Sequence, residues 1–332
     1  MALLEVENLT VAFDTPSGRV HAVNDVSYTL DEGETLGVVG ESGSGKSVHV
    51  LAMLGLLPKP PAKVLGGRVL FQGRDLLAMS QAELRSLRGG QIGMVFQDPM
   101  SSLNPVLTVG RQLREVIERH TDLKGRHADA RATELLDLVG IPRPADRLRQ
   151  YPHEFSGGMR QRVMIAIGLS CNPKLLIADE ATTALDVTVQ AQILDLVRDL
   201  KDRLGTTVIW ITHDMGVVAE LADTIQVMYG GRIMERGPVG PVFRDPRSAY
   251  TWGLLRSLPD EGARAQRRLY QIPGSPPNMA APPVGDPFAP RNPFATDRCH
   301  REVPPLRPVD AHGHMVAAWY DLPAALREAG HV

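Results

Sequence analysis

Only two cysteines, Cys171 and Cys299, occur in 332 residues. They are too few for a disulfide framework, so a reducing cytosol is the expected compartment. Long apolar runs are missing as well. None approaches the roughly 20 residues that a membrane-spanning helix needs, so work at a membrane would require a partner as anchor. The opening stretch "MALLEVENLTVAF" carries acidic residues and alternates in polarity, which fits a strand and not a signal peptide. Nor does one sign of charge dominate. With 36 basic and 38 acidic residues the formal net charge is −2, which argues against bulk electrostatic capture of nucleic acid and leaves only local basic patches open. No internal repeat is present. The length is ample for a buried core and for more than one structural unit.

Against these absences stands a regular succession of short aliphatic runs. "ETLGVV" (34–39), "IGMVF" (92–96), "LLIAD" (175–179), "TVIWIT" (207–212) and "IQVMY" (225–229) are separated by helical stretches. Uninterrupted hydrophobicity in such runs predicts a largely parallel sheet covered on both faces. The first segments, "LLEVENLTVAF" and "VHAVNDVSYTL", alternate with period two and predict half-exposed antiparallel strands beside that α/β core. From about residue 98 to 155 the character is helical. Val109, Leu113, Val116 and Ile117 share one helical face, and Ala132, Leu135, Leu136 and Val139 another, with Gly140 and Pro142 as stop signals. A helical subdomain inserted in a core over 1–237 is therefore expected. Over 238–332 the composition changes again. "SAYTWGLLRSLP" fits one helix, but twelve of the 26 prolines fall between Pro259 and Pro308. Proline lacks an amide donor and fixes φ, so an extension made mainly of loops is expected.

Two turns are suited to holding anions. "GESGSGKS", residues 40–47, fits G-x-x-x-x-G-K-[ST] between a predicted strand and an apolar helix starting near Lys46. Gly40, Glu41, Ser42, Gly43, Ser44 and Gly45 would wrap phosphates with inward amides. Lys46 would reach the β- and γ-phosphates, and Ser47 would ligate magnesium. The second turn lies in "YPHEFSGGMRQR", residues 151–162. There Ser156, Gly157 and Gly158 open a basic helix, with hydroxyl, amides and partial positive charge at its N-terminus. No lysine lies within its glycine pair, and taken alone it is simply a capped helix start.

"LLIADE" ends in Asp179 and Glu180, which a strand's C-terminal end would set beside the phosphate loop of an open α/β sheet. Asp179 could hold magnesium, directly or through water, and Glu180 could polarise an attacking water as general base. An arbitrary "DE" is more often two solvated carboxylates; the upstream phosphate loop decides for the functional reading. Gln97 in "MVFQDP" and His213 in "VIWITHD" also follow strands. Each is unremarkable alone and gains force from the set.

In this order the phosphate loop, Gln97, "FSGGMRQR", "LLIADE", "TTALD" and "ITHD" resemble the nucleotide-binding subunit of ATP-binding cassette (ABC) transporters, over roughly residues 3 to 237. The resemblance implies a P-loop NTPase (RecA-like) α/β core with an N-terminal antiparallel β subdomain, the helical insert and the Pro-rich extension. It implies ATP and Mg2+ as ligands, His213 as a switch histidine at the γ-phosphate, and Phe13 against adenine, though Phe13 is also an ordinary strand aromatic. It further implies a head-to-tail pair of cassettes. In that pair the signature residues Ser156, Gly157, Gly158 and Met159 bind the nucleotide of the other cassette, and Asp186 sits at the seam. Met159 departs from the usual glutamine, while the serine and both glycines are intact.

"MVFQDPMSSLNP", "YPHEFSGGMRQR", "YTWGLLRSLP" and "IPGSPPNM" further resemble the ATPases of dipeptide, oligopeptide and nickel importers. Many members of that branch hold an iron–sulfur cluster on four cysteines. Here only Cys299 remains, with Asp286, Asn292 and Ala318 at the other positions, and no cluster is expected. His300, His312 and His314 are read as solvated loop histidines over a metal site. The resemblance implies two permease subunits docked on the region after Gln97, a second, similar ATPase or another copy, and an extracytoplasmic binding protein. It places the chain peripherally at the cytoplasmic face of the inner membrane. A soluble ABC ATPase acting on nucleic acid or ribosomes is the alternative, disfavoured by the single cassette and the charge. A plain P-loop kinase or GTPase would leave "FSGGM" and "ITHD" without a role. The cassette does not touch the solute, so dipeptide, oligopeptide, nickel and glycoside all stay open from the residues alone.

Overall fold

A computed structural model describes residues 2–182, 186–258 and 270–330. The chain divides into two compact units that interleave along the sequence. One gathers Leu30–Thr35 and Leu76–Thr212 with the first residues, and the other Leu4–Thr29, Leu36–Asp75 and the residues from His213 onward.

In the first unit three parallel strands pair in register, Ile92–Val95 beside Leu175–Asp179 and that strand beside Thr207–Ile211. Every residue of the latter two is buried, as the uninterrupted apolar runs require of strands covered on both faces. Helices Val109–His120 and Arg126–Leu138 fill the predicted insert, with Leu113, Ile117, Ala132, Leu135 and Leu136 on their buried faces. The Thr108 hydroxyl caps the first, accepting from the Arg111 amide at 3.3 Å. Gly140, at φ +71°, ends the second in the left-handed conformation that glycine tolerates best. Helix Gly157–Leu169 is buried along most of its length. It lies so close to the sheet that a Cβ on Gly93 would stand 2.1 Å from the Gly168 carbonyl oxygen.

The second unit holds an antiparallel sheet in the order Gly18–Asp31, Ala2–Thr15, Ala62–Phe71, Arg74–Asp75. Leu4 faces Phe71 and Val6 faces Val69 across its centre. In the same unit Thr35–Val39 runs parallel to Thr224–Tyr229, with Leu36 opposite Thr224. Thr224–Tyr229 turns back antiparallel into Arg232–Pro238. The extension is richer in structure than an arrangement of loops. Met315–Val316 pairs with Arg232–Pro238, and Arg307–Pro308 pairs with Met315–Val316, so Pro308 falls on an outer strand where its missing donor does no harm. Helix Ala249–Arg256 forms within the predicted "SAYTWGLLRSLP", whose Pro259 lies outside the described residues.

The extension also shares the core of this unit. Val39, Ile225, Val227 and Tyr229 cluster with Met215, Val218 and Tyr250 and with Phe288, Leu322 and Leu326. Fully burying one such side chain contributes about 1.5–3 kcal/mol, so the extension is built into the fold of its unit.

Candidate nucleotide-binding site

The phosphate loop follows the strand Thr35–Val39 and runs into helix Lys46–Met53. Its glycines are dictated by space as well as by conformation. A Cβ on Gly40 would stand 2.1 Å from the Met228 carbonyl oxygen, and one on Gly45, at φ +96°, would stand 2.5 Å from that of Ala22. Gly43, at φ +78°, has open space around it, and Ser42 and Gly43 are exposed. The loop is tied from behind by the Gly231 amide, which donates to the Ser44 carbonyl at 3.1 Å. The Lys46 ammonium donates to the Gly40 and Glu41 carbonyls at 2.8 and 3.0 Å and is buried. The Ser44 hydroxyl is buried without a hydrogen-bond partner among the described residues. A polar atom left so at the centre of a glycine cradle is what a phosphate oxygen could satisfy.

Phe13 is half-buried on the strand Ala2–Thr15, opposite Ala62. His213 is exposed after the strand Thr207–Ile211. The adjacent Asp214 caps helix Met215–Leu221, its carboxylate accepting from the Gly216 amide at 2.8 Å.

In the other unit Asp179 is buried at the end of its strand, and Glu180 follows, half-buried, at φ +48°. That left-handed conformation costs a non-glycine residue about 1–2 kcal/mol. It is held by the Glu180 amide, which donates to the Ile211 carbonyl at 2.9 Å. The Gln97 side-chain amide donates to a Glu180 carboxylate oxygen at 2.6 Å. Two residues 83 apart in sequence are thus joined by the ends of neighbouring strands. With its nitrogen donating to Glu180, the side-chain oxygen of Gln97 is the atom that can accept a hydrogen bond or ligate a cation. In this unit Gln97 and Asp179 carry an amide and a carboxylate oxygen, and in the other Ser47 carries a hydroxyl; each is a hard oxygen of the kind that suits Mg2+.

Ser156 caps helix Gly157–Leu169, its hydroxyl accepting from the Met159 amide at 3.3 Å. Ser156 and Gly157 are exposed. Gly158 has a packing reason: a Cβ there would stand 2.7 Å from Cγ1 of Val189 on helix Val187–Leu204. Asp186 caps that same helix, accepting from the Val189 amide at 2.9 Å. Signature turn and Asp186 are therefore linked through Val189. Thr183, Ala184 and Leu185, the rest of that predicted loop, lie outside the described residues.

The four extension positions compared with a cluster site present different chemistry. Cys299 is buried and its sulfur accepts from the Thr296 amide at 3.4 Å. The Asp286 amide donates to the Cys299 carbonyl at 2.8 Å. Asp286 and Asn292 are buried, each with one polar side-chain atom unpartnered among the described residues. Ala318 supplies only a methyl group. A carboxylate, an amide, a thiol and a methyl do not fit a four-thiolate cluster. His314 makes a buried 2.7 Å contact with Glu235, a structural role; a solvated loop histidine was expected there, and the structure buries it instead.

Sequence reasoning missed the residues behind the loop. Tyr250 accepts from the Glu41 amide at 2.8 Å, and Arg291 pairs with the Glu41 carboxylate at 2.8 Å. Both come from beyond residue 238, and no local spacing signals them.

A strand, a glycine loop with its lysine, and a parallel sheet ending in paired carboxylates define a P-loop nucleoside triphosphatase. Family comparison gives the finer class. Residues 23–183 match the ABC transporter family model and residues 234–299 the model of the oligopeptide/dipeptide transporter C-terminal region. The chain is 52% identical to the oligopeptide transport ATP-binding protein OppD of Bacillus subtilis, over 96% of this chain and 88% of that protein. It is 49% identical to the dipeptide transport ATP-binding protein DppD of the same organism, over 96% and 94%. Among solved structures, the ATP-binding cassette MJ0796, as a post-hydrolysis dimer bound to ADP and Pi, superimposes with a TM-score of 0.64 at 27% identity, covering 71% of this chain and 98% of that one. The chain belongs to the ABC transporter family, among the ATP-binding subunits of its oligopeptide/dipeptide branch. It is an ATPase. No helix among the described residues is long and apolar enough to cross a membrane.

Proposed function

We propose that this chain powers peptide uptake through two partner permeases, closing on a second ATPase cassette when ATP binds. The observation that carries the hydrolytic part is the 2.6 Å hydrogen bond from Gln97 to Glu180. It couples the residue that would sense the nucleotide to the one that would activate water. The likeness to peptide-transport ATPases over nearly the whole chain supports the substrate class.

In this reading the core over 1–237 is the cassette, with its helical insert over about 98–155, and 238–332 is a branch-specific extension. The amides of residues 40–45 and the Lys46 ammonium hold the phosphates, and Phe13 stacks on adenine. Lys46 leaves its loop carbonyls for the β- and γ-phosphates. Ser47, Gln97 and Asp179 would hold Mg2+, which supplies charge neutralisation to the phosphoryl oxygens. Glu180 orients and deprotonates the water for in-line attack, and His213 hydrogen-bonds the γ-phosphate or that water. Ser156, Gly157, Gly158 and Met159 grip the γ-phosphate held by the partner cassette, with Asp186 at the seam. The first amides of a helix have no intrahelical acceptors, which suits them to this task. Gln97 connects γ-phosphate occupancy to the helical insert, where the permeases dock, so the two conformations of the insert are populated according to nucleotide state.

The partner ATPase is a similar second protein, an extracytoplasmic binding protein delivers the peptide, and the chain sits at the cytoplasmic face of the inner membrane. Reconstitution tests this. The chain with its co-purifying permeases and second cassette, in proteoliposomes, should accumulate a labelled peptide with ATP, and Glu180→Gln should abolish accumulation while ATP still binds. Nickel accumulation without peptide accumulation would overturn the substrate class.

A further inference from the structure

Glu41 is held at all its hydrogen-bonding groups. Its amide donates to the Tyr250 hydroxyl at 2.8 Å, its carbonyl accepts from Lys46 at 3.0 Å, and its carboxylate accepts from Arg291 at 2.8 Å. The Arg291 side chain is 7% exposed and that of Glu41 26%, so solvent screens the pair little. The guanidinium is itself fixed. It donates to the Pro273 carbonyl at 2.7 Å and to the Tyr229 hydroxyl at 2.9 Å. Its central carbon Cζ lies 5.6 Å from the centre of the Tyr229 ring and 5.9 Å from that of Phe288, within reach of cation–π attraction. Tyr229, Tyr250 and Phe288 pack on one another with centroids 4.6–5.3 Å apart.

This arrangement is a rigid abutment behind a loop. Arg291 and Pro273 belong to the extension, Tyr229 to the strand beside Thr35–Val39, and Glu41 directly follows Gly40. Arginine's planar fork can satisfy several acceptors in one geometry, which lysine cannot. A loop that must present several amides to a polyphosphate gains affinity when it is already in the bound shape, since the ordering cost is met beforehand.

We propose that Arg291 is a positioning residue for ATP binding, and that the extension, through Arg291 on Glu41, holds the phosphate loop in its nucleotide-receiving shape. The inference rests on the reading that residues 40–47 hold the nucleotide. It assigns the extension a task in the cassette itself. The pair also fixes the Glu41 carbonyl on which Lys46 rests, so loss of the pair frees the lysine as well as the loop.

The test is ATP affinity of the full-length chain by titration calorimetry, alongside thermal melting. Arg291→Met should weaken ATP about tenfold, and Glu41→Gln by a similar factor. The double substitution should be no worse than either single one, because both remove one interaction. Arg291→Lys should recover only part of the loss, since it restores charge without the fork. In the assembled transporter KM for ATP should rise while kcat at saturating ATP stays within about twofold. If Arg291→Met lowers the melting temperature but leaves ATP affinity within twofold, the residue is structural and the proposal fails. Lys46→Met separates the two readings. If it also leaves ATP binding intact, the assignment of the loop is at fault; if it alone abolishes binding, only the role of Arg291 is refuted.

Discussion

Replacing Glu180 by glutamine isolates the chemistry from the fold, because the substitution keeps the size and shape of the side chain and removes its charge and its basic oxygen. Glutamine pays the same left-handed backbone cost at φ +48°, about 1–2 kcal/mol for either side chain, so that contribution cancels. The amide bond to the Ile211 carbonyl is untouched. The hydrogen bond from Gln97 at 2.6 Å survives with the new side-chain carbonyl as acceptor but loses its charge. A charged hydrogen bond contributes about 1.5–3 kcal/mol net and a neutral one about 1, so folding stability should fall by roughly 1 kcal/mol. The barrier changes far more. A positioned general base accelerates a reaction typically by about 10²–10⁴-fold, equivalent to about 3–5 kcal/mol. The expected outcome is kcat reduced by two to four orders of magnitude, with ATP bound in undiminished stoichiometry and a melting temperature within a few degrees of wild type. Phosphate release from the assembled transporter measures the first, and filter binding of labelled ATP the second. Hydrolysis within tenfold of wild type would remove Glu180 as the base. A collapse of ATP binding would show that the carboxylate supports the site and not the water.

Gly158→Ala should impair ATPase activity by crowding Val189, an overpacking cost of about 1–3 kcal/mol, and Val189→Ala in the same chain should restore it; failure of that rescue in a steady-state ATPase assay would point to phosphate contact in place of packing. Asp286 is desolvated by burial and its carboxyl is pushed up to about 6, so ionising it opposes folding. Stability should therefore fall as pH rises from about 4 to about 6 and level off above, with roughly 3 kcal/mol at stake, and Asp286→Asn should flatten that slope in denaturant melts. His49, buried in helix Lys46–Met53, is pushed down to about 4 by desolvation; its contribution is intact above pH 6.5 and lost as pH falls toward 4, a loss that His49→Leu should remove from the acid limb. Anaerobically purified chain should contain neither iron nor acid-labile sulfide, and stoichiometric amounts of both would contradict the donor set at Asp286, Asn292, Cys299 and Ala318.

The parts legible in the sequence are those whose signal is local. The aliphatic runs at 34–39, 92–96, 175–179, 207–212 and 225–229 coincide with strands to within a residue or two, because burial on both faces favours apolar residues along nearly the whole run. Glycine spacing in the phosphate loop was readable from its local pattern, and the structure adds why two of the glycines are needed: Gly40 and Gly45 face backbone oxygens at distances that admit no side chain. What escaped depends on long-range placement. Asp186 looked like a seam residue and is also the cap that sets the start of helix Val187–Leu204. Gly158 looked like an anion-binding amide and is also the point where that helix approaches the signature helix. Neither second role competes with the first, since a cap uses one oxygen of the carboxylate and packing uses only the missing Cβ.

The extension shows the same limit most sharply. Its prolines argue against a region made mainly of helix or central strand, yet composition could not say that Phe288, Leu322 and Leu326 enter the core beside Val227 and Tyr229. Nor could it say that Arg291 reaches Glu41, 250 positions earlier in the chain. A local motif reports which chemistry a loop can perform; the residues that hold the loop in shape are drawn from wherever the topology returns the chain. For this cassette that return passes through the extension. Any substitution there that loosens Arg291 should then be felt first as lost ATP affinity, before the unit unfolds.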